Sequence, residues 1–252
     1  MSSFVVIVTG GGGGIGRATC ARLGARGASV LVVDRDLAAA QETARVTEAA
    51  GGKALAHAAD VADDAQVAGY VRAAEEAFGG VDGFFNNAGI EGPIAHITDY
   101  PLADFERVFA INVTGVFLGL KHVIPALQRR GGGSVVNTAS QAGLRGVGGL
   151  SGYSASKHAV IGLSRAAAIE LAKEGIKVNT LCPGPTGTRM MADIHTAVTA
   201  AGGDPSTFVT RIPAGRYGEA DEIAATAAWL LLDAPAFLTG AEIPVDGAMT
   251  TP

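Results

Sequence analysis

Cysteine is scarce in this chain, and its two cysteines, Cys20 and Cys182, lie far apart. Neither belongs to a Cys-x-x-Cys pair or to a Cys/His cluster with metal-ligand spacing, and the five histidines form no such cluster either. The sequence therefore predicts neither a disulfide framework nor a metal site. We expect both thiols to be packed in the interior as small apolar side chains.

Basic charge and long apolar runs are also in short supply. Lys and Arg number 19 against 24 Asp and Glu, a formal net charge of -5, so the composition offers no basic footprint for a phosphate backbone. The first apolar run, residues 4–8, follows no basic segment and is too short for a signal peptide or a membrane span. We expect a cytoplasmic protein with neither nucleic acid nor a membrane as a partner.

Apolar residues are plentiful, and they alternate between two patterns. The 252 residues are 48% hydrophobic, enough for a sizeable core, and no proline- or charge-rich linker divides them, so we expect a single domain over residues 1–252. Short Val/Ile/Leu-rich runs predict strands at residues 4–8, 29–33, 53–58, 82–86, 133–138, 176–181 and 243–245. Longer alanine-rich segments predict helices at about 14–26, 36–50, 63–79, 101–130, 152–174 and 219–232.

The short runs are continuously apolar rather than alternating, which indicates strands that are covered on both faces. Together with the strand–helix alternation, this predicts an α/β fold with a Rossmann-like doubly wound parallel sheet of about seven strands and helices on both faces. Residues 184–218 interrupt the alternation and mix Met190, Met191 and Phe208 with polar residues. Long excursions of this kind are usually functional, so we expect a substrate lid at about 184–218, with ordinary helix-and-loop packing as the alternative.

The stretch VVIVTGGGGGIGRA, residues 5–18, places five glycines between the first predicted strand and the first predicted helix. A flexible spacer would sit between domains, whereas glycines at a strand–helix turn let the backbone approach a pyrophosphate at the helix N-terminus. The run satisfies two registers of such a motif, Gly11, Gly13 and Gly16, or Thr9-Gly10-x-x-x-Gly14-Ile15-Gly16.

Asp34 ends the second predicted strand, 18 residues after Gly16. This is close to the separation at which a carboxylate accepts hydrogen bonds from an adenosine ribose, and a carboxylate there repels a 2′-phosphate. The sequence therefore favours NAD over NADP, although the adjacent Arg35 could soften the preference. Simple solvation of both side chains at the surface is the alternative.

Tyr153 and Lys157 lie at positions i and i+4 of a predicted helix, on the same face. A phenol has a pKa near 10 and needs a neighbouring cation to exchange protons near neutral pH, and Lys157 can supply that charge. Ser140 follows the strand of residues 133–138, whose end faces the same crevice. The three side chains therefore indicate acid–base chemistry beside the glycine turn.

In order and spacing these residues resemble the short-chain dehydrogenase/reductase family over nearly the whole chain. The matching motifs are Thr9-Gly10-x-x-x-Gly14-Ile15-Gly16, Asp34, Asp60-Val61, Asn86-Asn87-Ala88-Gly89, Asn112, Ser140, Tyr153 with Lys157, Pro183-Gly184-x-x-x-Thr188, and a closing VDGA. One departure is Ala248, which stands where the family usually has a second glycine. The glycine run also lacks the basic residue that NADP-preferring relatives often carry, which supports NAD.

The resemblance implies catalytic roles for four residues. Tyr153 is expected to be the general acid/base and Ser140 to orient the substrate oxygen. Lys157 is expected to hold the nicotinamide ribose and lower the pKa of the phenol, and Asn112 to help hold a proton-relay water.

The resemblance also implies a cofactor site and a substrate site. Cofactor contacts are expected from Gly10, Gly13, Gly14, Ile15, Gly16, Asp34, Arg35, Asp60, Val61, Asn87, Ala88, Gly89, Tyr153, Lys157, Pro183, Gly184 and Thr188. Substrate contacts are expected from Ser140, Gln141, Leu150, Tyr153, Met190 and Met191. Glu91 and His195 are candidates to contact polar substituents, although a lone histidine in a lid is more often a solvated surface residue.

The sequence thus predicts an NAD-dependent oxidoreductase that transfers a hydride between nicotinamide and a secondary alcohol or ketone, hydrophobic or cyclic. The alternatives are an NADPH-dependent biosynthetic carbonyl reductase of the 3-oxoacyl-carrier type and a non-catalytic NAD-binding sensor. The sensor reading is weakened because Tyr153 and Lys157 are both present. The resemblance further implies a homotetramer or homodimer assembled through the helices at 101–130 and 152–174.

Overall fold

The computed structural model describes residues 4–200 and 202–251. Its strands are β1 (Val5–Thr9), β2 (Ser29–Asp34), β3 (Lys53–Ala58), β4 (Gly83–Asn86), β5 (Gly133–Thr138), β6 (Ile176–Pro183) and β7 (Glu242–Val245). They form one seven-stranded sheet in the order β3-β2-β1-β4-β5-β6-β7, and each neighbouring pair is parallel. The prediction of a doubly wound parallel sheet is confirmed.

The helices lie between the strands and cover the sheet. They are α1 (Gly14–Ala25), α2 (Leu37–Ala49), α3 (Asp64–Phe78), α4 (Leu102–Phe109), α5 (Gly115–Arg129), α6 (Ser151–Leu171), α7 (Arg189–Ala200), α8 (Thr207–Thr210) and α9 (Ala220–Leu232). Asp36 and Asp63 directly precede α2 and α3 and cap them, because their carboxylates accept hydrogen bonds from backbone N–H groups of the first turn.

The chain runs outward from β1 to the β3 edge and then returns, so that β4 pairs with the other side of β1. This reversal opens a crevice at the carboxyl ends of β1 and β4, the place where doubly wound sheets bind ligands. The fold therefore brings the loops that follow β1, β2, β4, β5 and β6 to one edge of the sheet.

Two apolar layers pack against the sheet, one on each face. Successive strand residues point to opposite faces, so Ile7 joins the layer formed with α3, α5 and α6, whereas Val6 and Val8 join the layer formed with α1 and α9. All five residues of β1 are buried for this reason. Cys20 and Cys182 are buried free thiols in these layers, as predicted.

The prediction that strands are covered on both faces is wrong at the two edges of the sheet. The residues of β3 are exposed or half-buried, with Leu55 exposed, and no residue of β7 is fully buried. An edge strand has a neighbouring strand on one side only, and the α2 helix covers only one face of β3. The apolar composition of these two runs therefore overstated their burial.

The helix predicted at about residues 101–130 is present, and it contains an irregularity that the sequence did not indicate. A π-helical segment, Ala110–Thr114, separates α4 from α5. Asn112 lies buried within this segment, and its amide is engaged by neighbouring backbone, as described below. Single turns of π-helix occur mostly at functional sites, which agrees with the position of Asn112.

The helical stretch from Leu102 to Arg129 is long and apolar enough to cross a membrane by length and composition alone. In the structure its side chains Val116, Val123 and Leu127 are buried in the layer that packs against the sheet. The apolar composition is thus explained by the core of a soluble fold.

The excursion at residues 184–218 leaves and re-enters the fold through a narrow neck. Thr186 pairs with Gly218 in an isolated bridge, and the Gly187 N–H donates to the Gly218 carbonyl over 2.9 Å. Within the excursion, the His195 ring shares a 2.9 Å hydrogen bond with the Tyr217 hydroxyl and stacks on Phe208. His195 therefore packs inside the excursion and is not a freely solvated surface residue.

Candidate active site

The glycine run forms a tight turn between β1 and α1. Gly10 and Gly14 adopt φ angles of +61° and +50°, which favour glycine, and a Cβ on Gly16 would lie 2.1 Å from the Gly10 carbonyl oxygen. A Cβ on Gly13 would meet nothing within 4 Å. One face of the turn is thus open beside the N-terminus of α1, where backbone N–H groups favour an anion. This turn fits the pyrophosphate of a dinucleotide.

Asp34 is held directly against the glycine turn. Its Oδ2 accepts a 2.9 Å hydrogen bond from the Gly12 N–H, and its Oδ1 accepts a 3.0 Å hydrogen bond from the Asp36 N–H. Arg17 fixes the other side of the same glycine, because its guanidinium donates to the Gly12 carbonyl over 2.7 Å and to the Thr43 hydroxyl over 3.1 Å. The anchoring of Gly12 from both sides was not predicted, since nothing in the local sequence pairs Arg17 with Thr43.

The loop after β4 is tied to the ends of two other strands. The Thr9 hydroxyl accepts hydrogen bonds from the N–H groups of Asn87 and Ala88, over 2.9 and 3.2 Å. The Asn87 amide donates to the Thr9 carbonyl and accepts from the Thr138 hydroxyl. These bonds connect the carboxyl ends of β1, β4 and β5 and fix the floor of the crevice.

Tyr153 and Lys157 are neighbours on α6. The Lys157 ammonium nitrogen lies 5.6 Å from the centre of the Tyr153 ring and donates a 2.8 Å hydrogen bond to the Thr138 carbonyl. A Cβ on Gly89 would lie 3.4 Å from the Lys157 nitrogen. Because Gly89 has no side chain, the loop after β4 can lie next to the predicted catalytic lysine.

Ser140 and Asn112 are both held by local hydrogen bonds. The Ser140 Oγ accepts a 3.1 Å bond from the Ala142 N–H at the start of a short 3-10 turn. The Asn112 amide clamps the backbone of Ile90, with Oδ1 accepting from its N–H over 2.9 Å and Nδ2 donating to its carbonyl over 2.8 Å. It also donates to the Ser156 hydroxyl. The Asn112 side chain therefore positions the loop after β4.

Burial disfavours the charged forms of both catalytic candidates. It raises the pKa of Tyr153 to about 12, although a hydrogen bond with Ser140 lowers this pKa and the charge of Glu91 raises it. Burial also lowers the pKa of Lys157 to about 8. The pKa values of the neighbouring phenol and amine are thus pushed apart by burial, and neighbouring titratable groups with perturbed pKa values are a feature of acid–base sites.

The remaining predicted cofactor residues lie at two further strand ends. Pro183 ends β6, and a Cβ on Gly184 would lie 2.7 Å from the Asp246 Cα. Thr188, at the neck of the 184–218 excursion, is 3.4 Å from the position of a Cβ on Gly14. The excursion therefore starts against the glycine turn.

After β3, the Asp60 carboxylate accepts a 2.9 Å hydrogen bond from the Ala62 N–H, and Val61 is buried against Gly115. Arg35 follows Asp34 and is exposed to solvent. Ile15 is half-buried in the first turn of α1 and packs against the core.

The predicted substrate residues surround the start of α6 and the face of α7. Leu150 is buried immediately before α6, whereas Met190 and Met191 are half-buried on α7. The Gln141 side chain accepts a 2.7 Å hydrogen bond from Arg145, which holds it within the loop before α6. A residue not predicted for this region is Tyr100, whose hydroxyl packs between Gly92 and Gly152.

Two local features complete the description of the site. Ala248 has a φ of +70°, so an alanine occupies a left-handed conformation that glycine adopts without strain. Across residues 4–200 and 202–251, no three His, Cys, Asp or Glu side chains are grouped to hold a metal ion.

The glycine turn and the adjoining Ser140, Tyr153 and Lys157 fit the site of a nicotinamide-dependent oxidoreductase. The comparisons with known proteins agree. A family model described as Enoyl-(Acyl carrier protein) reductase matches residues 11–250. The chain belongs to the short-chain dehydrogenase/reductase family, and it is an alcohol dehydrogenase or ketoreductase that acts on a small molecule.

Similar proteins include two curated enzymes and one solved structure. Levodione reductase of Leifsonia aquatica is 43% identical over 255 residues, which cover 98% of this chain and 94% of the relative. Cyclohexanol dehydrogenase of Acinetobacter sp. (strain SE19) is 39% identical over 247 residues, 98% of this chain and 95% of the relative. The crystal structure of NAD+-bound xylitol dehydrogenase is similar with a TM-score of 0.93 and 37% identity, covering 97% of this chain and 98% of that one.

Proposed function

We propose that this protein catalyses the NAD-dependent interconversion of a cyclic secondary alcohol and its ketone. The observation that carries the proposal is that Lys157, beside Tyr153, adjoins Gly89 at the same sheet edge where Asp34 is bound to the glycine turn. The proposed cofactor site and the acid–base residues therefore lie at the same crevice. We also propose that residues 1–252 form a single domain and that each site residue has the role expected from the family resemblance.

NAD is the proposed coenzyme because of the way Asp34 is held. Two backbone N–H groups fix its carboxylate at the glycine turn, where the adenosine ribose of a dinucleotide is bound in folds of this kind. A fixed carboxylate accepts hydrogen bonds from ribose hydroxyls and repels a 2′-phosphate. The NAD+-bound state of the similar xylitol dehydrogenase supports this choice.

In the oxidation direction, NAD when bound supplies the acceptor for the hydride of the carbinol carbon. The Tyr153 oxygen takes the hydroxyl proton of the substrate, and the Ser140 hydroxyl orients the substrate oxygen next to it. Lys157 holds positive charge near the phenol, which favours the phenolate form. The buried setting aligns these groups and excludes water from the reacting atoms.

A cyclic substrate is supported by the relatives and by the lining of the site. Levodione reductase and cyclohexanol dehydrogenase are named for ring compounds. Half-buried Met190 and Met191 on α7 offer apolar, adaptable surface of the kind that accepts a ring. We further propose that the enzyme is cytoplasmic and a homotetramer or homodimer.

The experiment is to follow absorbance at 340 nm while the purified protein is mixed with NAD or NADP and a panel of cyclic secondary alcohols. We expect NADH to form with at least one ring alcohol. The Tyr153→Phe variant should lose activity by about 10²–10⁴-fold while it still binds NAD, because a phenyl ring cannot take the proton. Tyr70→Phe, on α3 and away from the crevice, is the matched control and should keep its turnover.

Three results would contradict the proposal. Wild-type turnover by Tyr153→Phe would exclude that residue as the acid/base. No NADH with any ring alcohol, together with oxidation of NADPH by a 3-oxoacyl thioester, would establish the biosynthetic carbonyl reductase instead. Tight NAD binding without turnover of any alcohol or ketone would establish the sensor.

A further inference from the structure

Glu91 sits in a rigid part of the loop that follows β4. The residue before it, Ile90, is clamped through its N–H and carbonyl by the Asn112 amide. The residue after it, Gly92, packs against Tyr100, since a Cβ on Gly92 would lie 2.6 Å from the Tyr100 hydroxyl oxygen. The position of Glu91 is therefore fixed from both sides.

The same tyrosine connects this loop to the catalytic helix. A Cβ on Gly152, the residue before Tyr153, would lie 2.7 Å from the Tyr100 hydroxyl oxygen. The Ala95 N–H also donates a 3.0 Å hydrogen bond to the Gly149 carbonyl, just before α6. Gly92 and Gly152, the chain neighbours of Glu91 and Tyr153, thus pack against the same hydroxyl group, which brings the loop after β4 next to the start of α6.

The 184–218 excursion contributes two charges near Glu91. Arg189 and Asp193 lie one turn apart on α7, with 3.9 Å between guanidinium nitrogen and carboxylate oxygen. Burial raises the pKa of the Glu91 carboxyl, and the charge of Asp193 raises it further. The backbone N–H of Glu91 itself and the charge of Arg189 lower this pKa. The charge of Glu91 in turn raises the pKa of Tyr153. Glu91 therefore lies within electrostatic reach of both the excursion and the predicted acid/base.

The Glu91 carboxylate is half-buried, and it makes no hydrogen bond or ion pair with another side chain of the described residues. An ionised carboxylate has about four acceptor positions, and the backbone N–H of Glu91 itself occupies one of them. A substrate hydroxyl that enters beside Tyr153 would supply a further donor.

We propose that Glu91 is a specificity-determining residue that accepts a hydrogen bond from a second hydroxyl group of the substrate, so that the enzyme selects ring diols over ring alcohols with one hydroxyl. The inference rests on the proposed function, because it takes for granted that a ring alcohol is oxidised at Tyr153.

The experiment compares three substrates with NAD as coenzyme: a cyclohexanediol, its monomethyl ether and cyclohexanol. The diol isomer is the one that is oxidised fastest among the cis and trans 1,2, 1,3 and 1,4 forms. The ether keeps the second oxygen of the diol as an acceptor but cannot donate a hydrogen bond from it. The wild-type enzyme should therefore favour the diol over both other substrates by about tenfold or more in kcat/KM, the value of a hydrogen bond to a charged group.

In Glu91→Ala, this preference should fall by about tenfold. Glu91→Gln keeps an acceptor oxygen without the charge and should give an intermediate preference. Glu48→Gln, an exposed carboxylate on α2, is the matched control and should keep the wild-type preference. Because each preference is a ratio measured on one protein sample, partial misfolding of a variant does not change it.

A second readout tests whether Glu91 faces Tyr153. Removal of the Glu91 charge should lower the pKa of Tyr153, so the rising limb of the pH profile for cyclohexanol oxidation should move to lower pH in Glu91→Gln. Glu48→Gln should leave that limb in place.

The proposal is overturned if wild-type enzyme oxidises the diol and its ether equally well, or if the diol preference of Glu91→Ala stays within about twofold of wild type, a difference below that of one hydrogen bond. If the wild-type enzyme oxidises none of these alcohols with NAD, the proposed function fails, and this inference falls with it.

Discussion

At the scale of single residues, the backbone holds the Asp34 carboxylate in a fixed position beside the glycine turn. Its two carboxylate oxygens each accept a hydrogen bond from a backbone N–H, at Gly12 and at Asp36, so the side chain cannot turn away from the glycine turn. A carboxylate fixed in this way discriminates by repulsion as well as by attraction, because a 2′-phosphate would meet an immobile negative charge.

Asp34→Ala should therefore lower the ratio of kcat/KM with NAD to kcat/KM with NADP, by about tenfold or more, since a close charge–charge repulsion is removed together with the ribose acceptor. Steady-state kinetics with each coenzyme on one preparation gives the ratio. Any loss of loop order affects both coenzymes and cancels. An unchanged ratio would mean that Asp34 has no part in choosing the coenzyme.

The burial of Lys157 predicts how the free energy of unfolding depends on pH in the protein without bound dinucleotide. Its pKa is lowered from 10.5 to about 8 in the folded state because the ammonium group is buried. Between about pH 8 and pH 10.5 the unfolded chain binds the proton and the folded chain does not, so the free energy of unfolding rises with pH in this window. Below pH 8 both states are charged, and the folded state bears the full cost of burial.

Lys157→Met should accordingly flatten this rise. We expect the gain in unfolding free energy between pH 7.5 and pH 9.5 to be smaller than in wild type by about 1–2 kcal/mol. Urea unfolding at the two pH values measures the gain. Lys173→Met, with an exposed side chain after α6, is the control that should behave as wild type, and an equally steep rise in Lys157→Met would show that Lys157 does not titrate in this range.

At the scale of elements, glycine decides where helices approach each other. Gly24, in α1, is packed against α2 so closely that a Cβ would lie 2.4 Å from the Thr47 carbonyl oxygen. Gly69, in α3, has only the end of the Arg72 side chain near it, at 3.8 Å. Both glycines lie within helices, but their surroundings in the fold are opposite.

Gly24→Ala should thus destabilise the protein by about 1–3 kcal/mol, because the backbone of α2 must move. Gly69→Ala should stabilise it by about 0.5–1 kcal/mol, because alanine is the better helix former and meets no clash. Urea denaturation of the two variants beside wild type checks both signs. Equal effects would mean that α1 and α2 are not held at the distance described.

The elements also show what the sequence could predict and what it could not. Strand and helix positions follow from local apolar patterns, and the glycine turn, Ser140, Tyr153 and Lys157 are set by motifs with fixed spacing, so they were predictable. The π-helical segment at Asn112 was not, because a single inserted residue hardly alters the apolar periodicity of residues 101–130. The clamp of Asn112 on Ile90 and the wedge of Tyr100 between two glycines join distant segments, and no local pattern encodes such pairs.

At the scale of the whole molecule, the outer surface of the layer that contains α5 and α6 stands out. The inner faces of these helices are buried against the sheet, yet Phe117 on α5 is 50% exposed and Ile169 on α6 is 81% exposed. These two side chains are candidates for contacts in the proposed homotetramer or homodimer, since an assembly would remove them from water. A second copy of the chain, related by two-fold symmetry, would bury both residues twice.

If the outer surfaces of α5 and α6 form the interface between copies of the chain, a charge introduced there should dissociate the assembly. We expect light scattering after gel filtration to give a multiple of the 25.3 kDa chain mass for wild type and a smaller multiple for Phe117→Glu and for Ile169→Glu, because charged residues are excluded from interface cores. Leu37→Glu, at an exposed apolar position on α2, is the matched control and should keep the wild-type mass. A wild-type mass in both Phe117→Glu and Ile169→Glu would place the interface elsewhere, and a wild-type protein with the mass of one chain would exclude a stable assembly altogether.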